Sequence, residues 1–133
     1  MIRTAWVAIL ALALCGSAHR VAHADGEAKV VRNEKLPNVP GQSLTAVVVN
    51  YAPGAKSSSH RHAGSVFVYV LSGEIRSENS ATGSARVYKA GETFFEPAGS
   101  AHLVSENASA TEPASLLAVF VADDGAKLTT FDK

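Results

Sequence analysis

Three histidines and one glutamate carry most of the chemistry that this sequence can do. His60 and His62 stand one residue apart in Ser59-His60-Arg61-His62, just before the most β-prone run of the chain. On an extended strand alternate residues share a face about 7 Å apart, so both imidazoles can reach one ion while Arg61 points away. A His-x-His on a strand is equally compatible with an exposed pair. His102 follows the Pro97-Ala98-Gly99 turn, and alone it reads as readily as a buried or surface histidine. Together they say more, because these three fall in two turn-flanked strand segments that an antiparallel barrel can bring together. Glu96, directly before Pro97, shares strand parity with Phe94 and hence its face. As a carboxylate inside a barrel it needs a metal or another partner, and as a strand-end residue it would be solvated. Arg76 and Arg86 could pair with it or with a substrate anion.

The elements that must position these groups are strands. Short runs rich in β-branched and aromatic residues, punctuated by Gly, Pro, Ser and Asn, occupy Leu44 to Tyr51, Val66 to Leu71, Glu74 to Glu78, Ala85 to Lys89, Thr93 to Glu96, Ala101 to Ser105 and Leu116 to Ala122. No stretch after the first two dozen residues offers a sustained helical apolar stripe. The pattern predicts an all-β sandwich or barrel forming a single domain, residues 43–126, with an extended arm over 25–42 and a C-terminal tail over 127–133. Val66 to Leu71 is apolar on both faces. Val66, Val68 and Val70 should line the interior with the histidines. Phe67 and Tyr69 then face outward, covered by the arm or by a second copy, which favours a homodimer.

The first residues read as a leader. Arg3 precedes an apolar run from Ala5 to Leu14, and Ala22-His23-Ala24 offers the small residues of a cleavage site. The run is about half of the roughly 20 residues that span a bilayer, so no membrane span is expected. Cys15 raises a lipid-anchored alternative, which Leu14 disfavours because a small residue is expected there. Cleavage after Ala24 would remove 24 of the 133 residues and leave 109, exported to the periplasm or secreted. Arg3 and Arg20 leave with the leader, so 10 Lys+Arg remain against 12 Asp+Glu, without cysteine. Such a chain depends on its own apolar core for stability. The balanced charge and the absence of any basic block exclude nucleic acid as a partner.

The spacing of two segments resembles the cupin superfamily. Gly54, His60, His62, Val66 and Gly73 fall at the places of its first motif, and Gly91, Pro97, Gly99 and His102 at those of its second. Two positions depart: Glu106 stands where the second motif has Asn, and Val66 stands where the first has a metal-binding Glu. The resemblance implies a jelly-roll β-barrel of the double-stranded β-helix type with one divalent ion per chain on His60, His62 and His102, with Glu96 as the candidate replacement carboxylate. Three histidines without the motif Glu look like the thiol and β-diketone dioxygenases, which implies Fe2+ ahead of Zn2+, Mn2+, Ni2+ or Cu2+ and a small carbonyl or enolisable compound as ligand in the barrel. The alternatives are a non-catalytic binding module, or a metal-dependent isomerase or lyase in which Glu96 or Tyr69 serves as base.

Overall fold

The computed structural model describes residues 26–133; the leader expectation lies outside the described residues. Eleven strands follow in chain order: β1 (Glu27–Lys35), β2 (Gln42–Tyr51), β3 (Lys56–Ser57), β4 (His60–His62), β5 (Ser65–Ser72), β6 (Glu74–Asn79), β7 (Gly83–Lys89), β8 (Thr93–Glu96), β9 (Ala101–Asn107), β10 (Ala114–Asp123) and β11 (Thr129–Phe131). They form two antiparallel sheets. The first has the order β1-β2-β10-β5-β8; the second runs β11-β4-β9-β6-β7, with β3 also paired to β9. There is no helix among the described residues, and the architecture is the expected all-β jelly roll.

Period-two alternation places the core. Along β10, Ala114, Leu116, Ala118, Phe120 and Ala122 are buried while the residues between them face outward. On β5, Val66, Val68 and Val70 are sealed inside, and Phe67, Tyr69 and Leu71 remain 46%, 40% and 45% exposed. With Val47 and Tyr51 of β2 and Ile75 of β6, the three valines of β5 and Ala114, Leu116, Ala118 and Phe120 of β10 make one continuous cluster.

Both ends of the chain differ from the sequence expectation. The arm contains β1, which pairs along nearly the whole of β2, with a bulge between Val30 and Arg32. It lies at the sheet edge, separated from β5 by β2 and β10, so it does not cover Phe67 and Tyr69. The tail contains β11, which pairs with β4 in the register Thr129↔His62 and Phe131↔His60. Gly73 shows why a motif glycine sits between β5 and β6. Its φ of +69° is strained for other residues, and a Cβ there would lie 2.6 Å from the Pro113 carbonyl oxygen.

Candidate metal centre

His60 and His62 alternate with exposed Arg61 on β4, and both point inward. In the neighbouring strand His102 is the direct partner of His60, which sets the two rings 4.9 Å apart; His60 and His62 are 4.7 Å apart. One candidate ligand atom from each ring lies within 4.8 Å of the others, and all three residues are buried. Each ring has one nitrogen engaged by protein. Nδ1 of His60 lies 2.7 Å from the Ser58 carbonyl oxygen. Nδ1 of His62 lies 3.2 Å from both the Leu128 carbonyl and the Thr129 hydroxyl. Nε2 of His102 lies 2.9 Å from the Ser77 hydroxyl. The Nε2 atoms of His60 and His62 are left without a hydrogen bond to protein, as is Nδ1 of His102, a buried atom with no hydrogen-bond partner. Rings oriented through one nitrogen with the other left free match what a metal requires of imidazole.

Glu96 is placed with them. It ends β8, is 2% exposed, and its Cα partner across the β5–β8 ladder is Val66. The carboxylate therefore stands one strand over from the residue that departs from the cupin motif. Its Oε2 lies 3.0 Å from His102 Nδ1, near enough for charge to matter but out of line for a hydrogen bond, and 3.9 Å from His62 Nε2. Asn79 donates to the same oxygen at 3.3 Å. Burial pushes the carboxyl up to about 7, opposed by the Asn79 bond. Burial, then the neighbouring His60, lowers His62 to about 4; burial with His60 and His62 lowers His102 to about 3. His62 and His102 are thus neutral near pH 7, the form that binds metal.

A cavity of about 350 Å³ opens above this cluster, lined chiefly by apolar residues of the first sheet, with Leu128, Thr129 and Phe131 at one side.

Several expectations are relocated. Tyr69 does not reach the site: it lies on the outer face of β5 beyond the cavity wall, because its parity is opposite to that of Val68. Arg76 pairs with Glu106, and Arg86 lies over the ring of Tyr88, so neither meets Glu96. Ser77, Asn79 and the carbonyls of Ser58 and Leu128 hold the site but had no sequence signal, since only the ladder register brings them to it.

Residues 47–120 match the Cupin_2 family, described as Cupin domain. The chain belongs to the cupin family. A germin-like protein of Arabidopsis thaliana, subfamily 2 member 2, is 33% identical over 91 residues, covering 65% of this chain and 41% of that protein. The chain therefore spans well under half the length of this curated relative. Among solved structures, a Klebsiella pneumoniae protein described as uncharacterised with a double-stranded β-helix domain superposes with a TM-score of 0.64 at 24% identity, covering 86% of this chain and 90% of its own. The dimethylsulfoniopropionate (DMSP) lyase DddQ of Ruegeria pomeroyi gives 0.64 at 20% identity, over 80% and 51%. A variant of Bacillus subtilis oxalate decarboxylase gives 0.62 at 25% identity, over 81% and 28%. Cupin membership with a buried three-histidine cluster makes this a metal-binding cupin.

Proposed function

We propose that the protein is an exported, metal-dependent cupin enzyme of oxygenase type, acting on a small carbonyl or enolisable compound held in the barrel. The observation that carries this reading is the convergence of three buried histidines, each offering one ring nitrogen within 4.8 Å of the others, and the Glu96 carboxylate on an apolar cavity. A divalent ion there, Fe2+ ahead of Zn2+, Mn2+, Ni2+ or Cu2+, supplies a Lewis acid with open positions and, as Fe2+, redox chemistry with O2. The chain supplies the rest. Ser58, Leu128 and Ser77 hold the rings; Glu96, ionising near neutrality, can keep or accept a proton at Oε2; the valines of β5 exclude water.

A second reading, a metal-dependent lyase or isomerase with Glu96 as general base, is favoured by the position of that carboxylate 3.0 Å from Nδ1 of His102 and by the likeness to DMSP lyase. A third is a non-catalytic module binding metal or a small molecule. Purification from an exporting host, metal analysis and O2 uptake with β-diketones separate the three. One iron per chain with O2 consumption is expected. Turnover that persists under argon transfers the reading to the lyase, and an absence of metal defeats the enzymatic reading. The mature N-terminus at Asp25 belongs to the same proposal, and an intact Met1 on the isolated protein would overturn the export claim.

A homodimer through the outer face of the first sheet completes the proposal. Phe67 and Phe95 are direct cross-strand partners there, 46% and 51% exposed, flanked by Tyr69, Leu71 and Val121. Half-exposed aromatics of this size leave several hundred Å² of apolar surface per copy, approaching half of a standard interface. Sedimentation showing a monomer at all concentrations would remove it.

A further inference from the structure

The cavity divides its chemistry sharply between its two ends. Among the described residues no Lys or Arg lines it, and its imidazoles and its one carboxylate, those of His60, His62, His102 and Glu96, are clustered together. The hydroxyls in the wall are already engaged. That of Tyr51 lies 2.9 Å from both Ser57 and Ser105, and that of Thr129 lies 3.2 Å from His62. The remaining wall is hydrocarbon, with Val47, Val68, Phe94, Leu116 and Ala118 facing the space. A charged group of a ligand therefore finds a counter-charge only at the histidine end. A second charged group further along would lie against apolar side chains with no counter-charge, which is costly.

We propose that the barrel selects a small, singly anionic ligand with two chelating oxygens at one end and an apolar tail at the other. The chelating end rests on the metal reading given above; the tail rests on the wall alone. A space of about 350 Å³ corresponds to roughly a dozen waters. It therefore suits a molecule of on the order of ten non-hydrogen atoms, at the small end of ligand cavities. The strand β11 closes the histidine end, beside the head of the ligand. Phe131 stands edge-on to His60 with ring centroids 5.6 Å apart. Its strand is clasped by Asp132, which accepts from the Ser59 hydroxyl at 2.6 Å, donates its amide to the Ser59 carbonyl at 2.9 Å and lies 3.5 Å from Arg61.

The test is calorimetric titration of the full chain, loaded with Co2+, with pyruvate, 2-oxohexanoate and 2-oxoglutarate, the cobalt absorption bands reporting whether the head binds at the ion. Each methylene buried is worth about fourfold in affinity. Hence 2-oxohexanoate should bind between about tenfold and sixtyfold tighter than pyruvate, and at least about tenfold tighter than 2-oxoglutarate, whose second carboxylate meets the apolar wall. Equal affinities along the series, or preference for the dianion, overturn the proposal. Phe131 is 54% exposed, so F131A should retain the fold. Because it borders the head, it should change the affinities for pyruvate and 2-oxohexanoate alike, and a loss confined to 2-oxohexanoate would place Phe131 at the tail and overturn the orientation given to the ligand. If the chain takes up no cobalt, the metal reading fails separately, and the tail is then read on the metal-free chain. There 1-hexanol should shift the methyl resonances of Val68 and Leu116 while 1,6-diaminohexane should not, and no response to hexanol overturns the inference.

Discussion

The two sheets bury opposite chemistries. The second sheet places His60, His62, Ser77, Asn79, His102, Ser105 and Asn107 inside, and Ile75 is the largest apolar side chain that it seals completely. The first sheet buries valines, alanines, Leu116 and Phe120, with Thr45, Glu96 and the hydroxyl of Tyr51 its polar exceptions. One sheet is thus a hydrocarbon wall and the other a set of mutually bonded ligands and supports. Glu96 alone brings a carboxylate across from the wall side, and it arrives opposite Val66. Rigidity and specificity come from different materials: packing density on one side, directional bonds on the other.

The largest expected effect tests the polar sheet. Replacing His60, His62 or His102 by Ala should reduce metal affinity by about 100-fold or more, because losing even an outer support of a ligand costs 10- to 100-fold. The metal-dependent gain in stability, about 2.7 kcal/mol at a hundredfold excess of ion, should vanish with it. Calorimetry and thermal unfolding with and without metal check both. A variant that keeps its metal at unchanged affinity would break the assignment of that histidine.

Packing on the two sheets should respond unequally as well. Ile75→Ala empties a fully buried site on a sheet whose other inward groups are polar and held by hydrogen bonds, so about 2–5 kcal/mol is expected. Val68→Ala removes two methyl groups beside space that is already open and should cost about 1.5 kcal/mol. Urea unfolding that ranks the two in the opposite order would mean that the wall, and not Ile75, is the tighter packing.

How far this was legible in the sequence follows the same division. Alternation made β5 and β10 readable, since a strand with one buried face writes a period of two. The His-x-His and the Pro97–Gly99 turn located the three rings, and parity tied Glu96 to the face of Phe94 while leaving open whether that face was the interior or a solvated strand end. β1 was invisible as a strand because all nine of its residues are exposed and charged residues punctuate it, so no face is selected. β11 is three residues long, and its place beside β4 depends on a contact 67 residues away in the chain. Ser77 and Asn79 looked like ordinary strand polar residues; only the pairing of β6 with β9 turns them toward the site.

The pH dependence of the metal-free chain should separate the polar sheet from its one visitor. His62 and His102 titrate lower folded, at about 4 and 3, than unfolded, at about 6.5. Their contribution is complete above about pH 6.5 and is lost as pH falls from there toward 4. Glu96 has the opposite sign: raised from 4.5 to about 7, its contribution is complete below 4.5 and is lost as pH rises to 7. Two histidines outweigh one carboxyl, so stability should fall on acidification from pH 6.5 to 4.5 by at most about 1.4 kcal/mol per pH unit. Glu96→Gln removes the opposing contribution and should steepen that fall. Urea midpoints at pH 4.5, 5.5, 6.5 and 8 report it, and equal slopes in the two proteins would show that Glu96 is not held in the uncharged form.

The smallest effect concerns how the tail serves the ligand sheet. Thr129 faces His62 across the β4–β11 ladder, and its hydroxyl shares His62 Nδ1 with the Leu128 carbonyl, each at 3.2 Å. Because the ring must donate to only one acceptor, Thr129→Val leaves the carbonyl in place and keeps the β-branched shape that suits a strand. The cost should be that of one hydrogen bond, about 1 kcal/mol or less in stability, and the metal affinity should fall no more than about tenfold, the low end for a support group. A Co2+ spectrum altered without loss of stoichiometry would mark a ring that has turned, the signature of a positioning role. A spectrum and affinity identical to those of the parent would assign the orientation of His62 to the Leu128 carbonyl alone, and with it to the backbone path of the C-terminal segment.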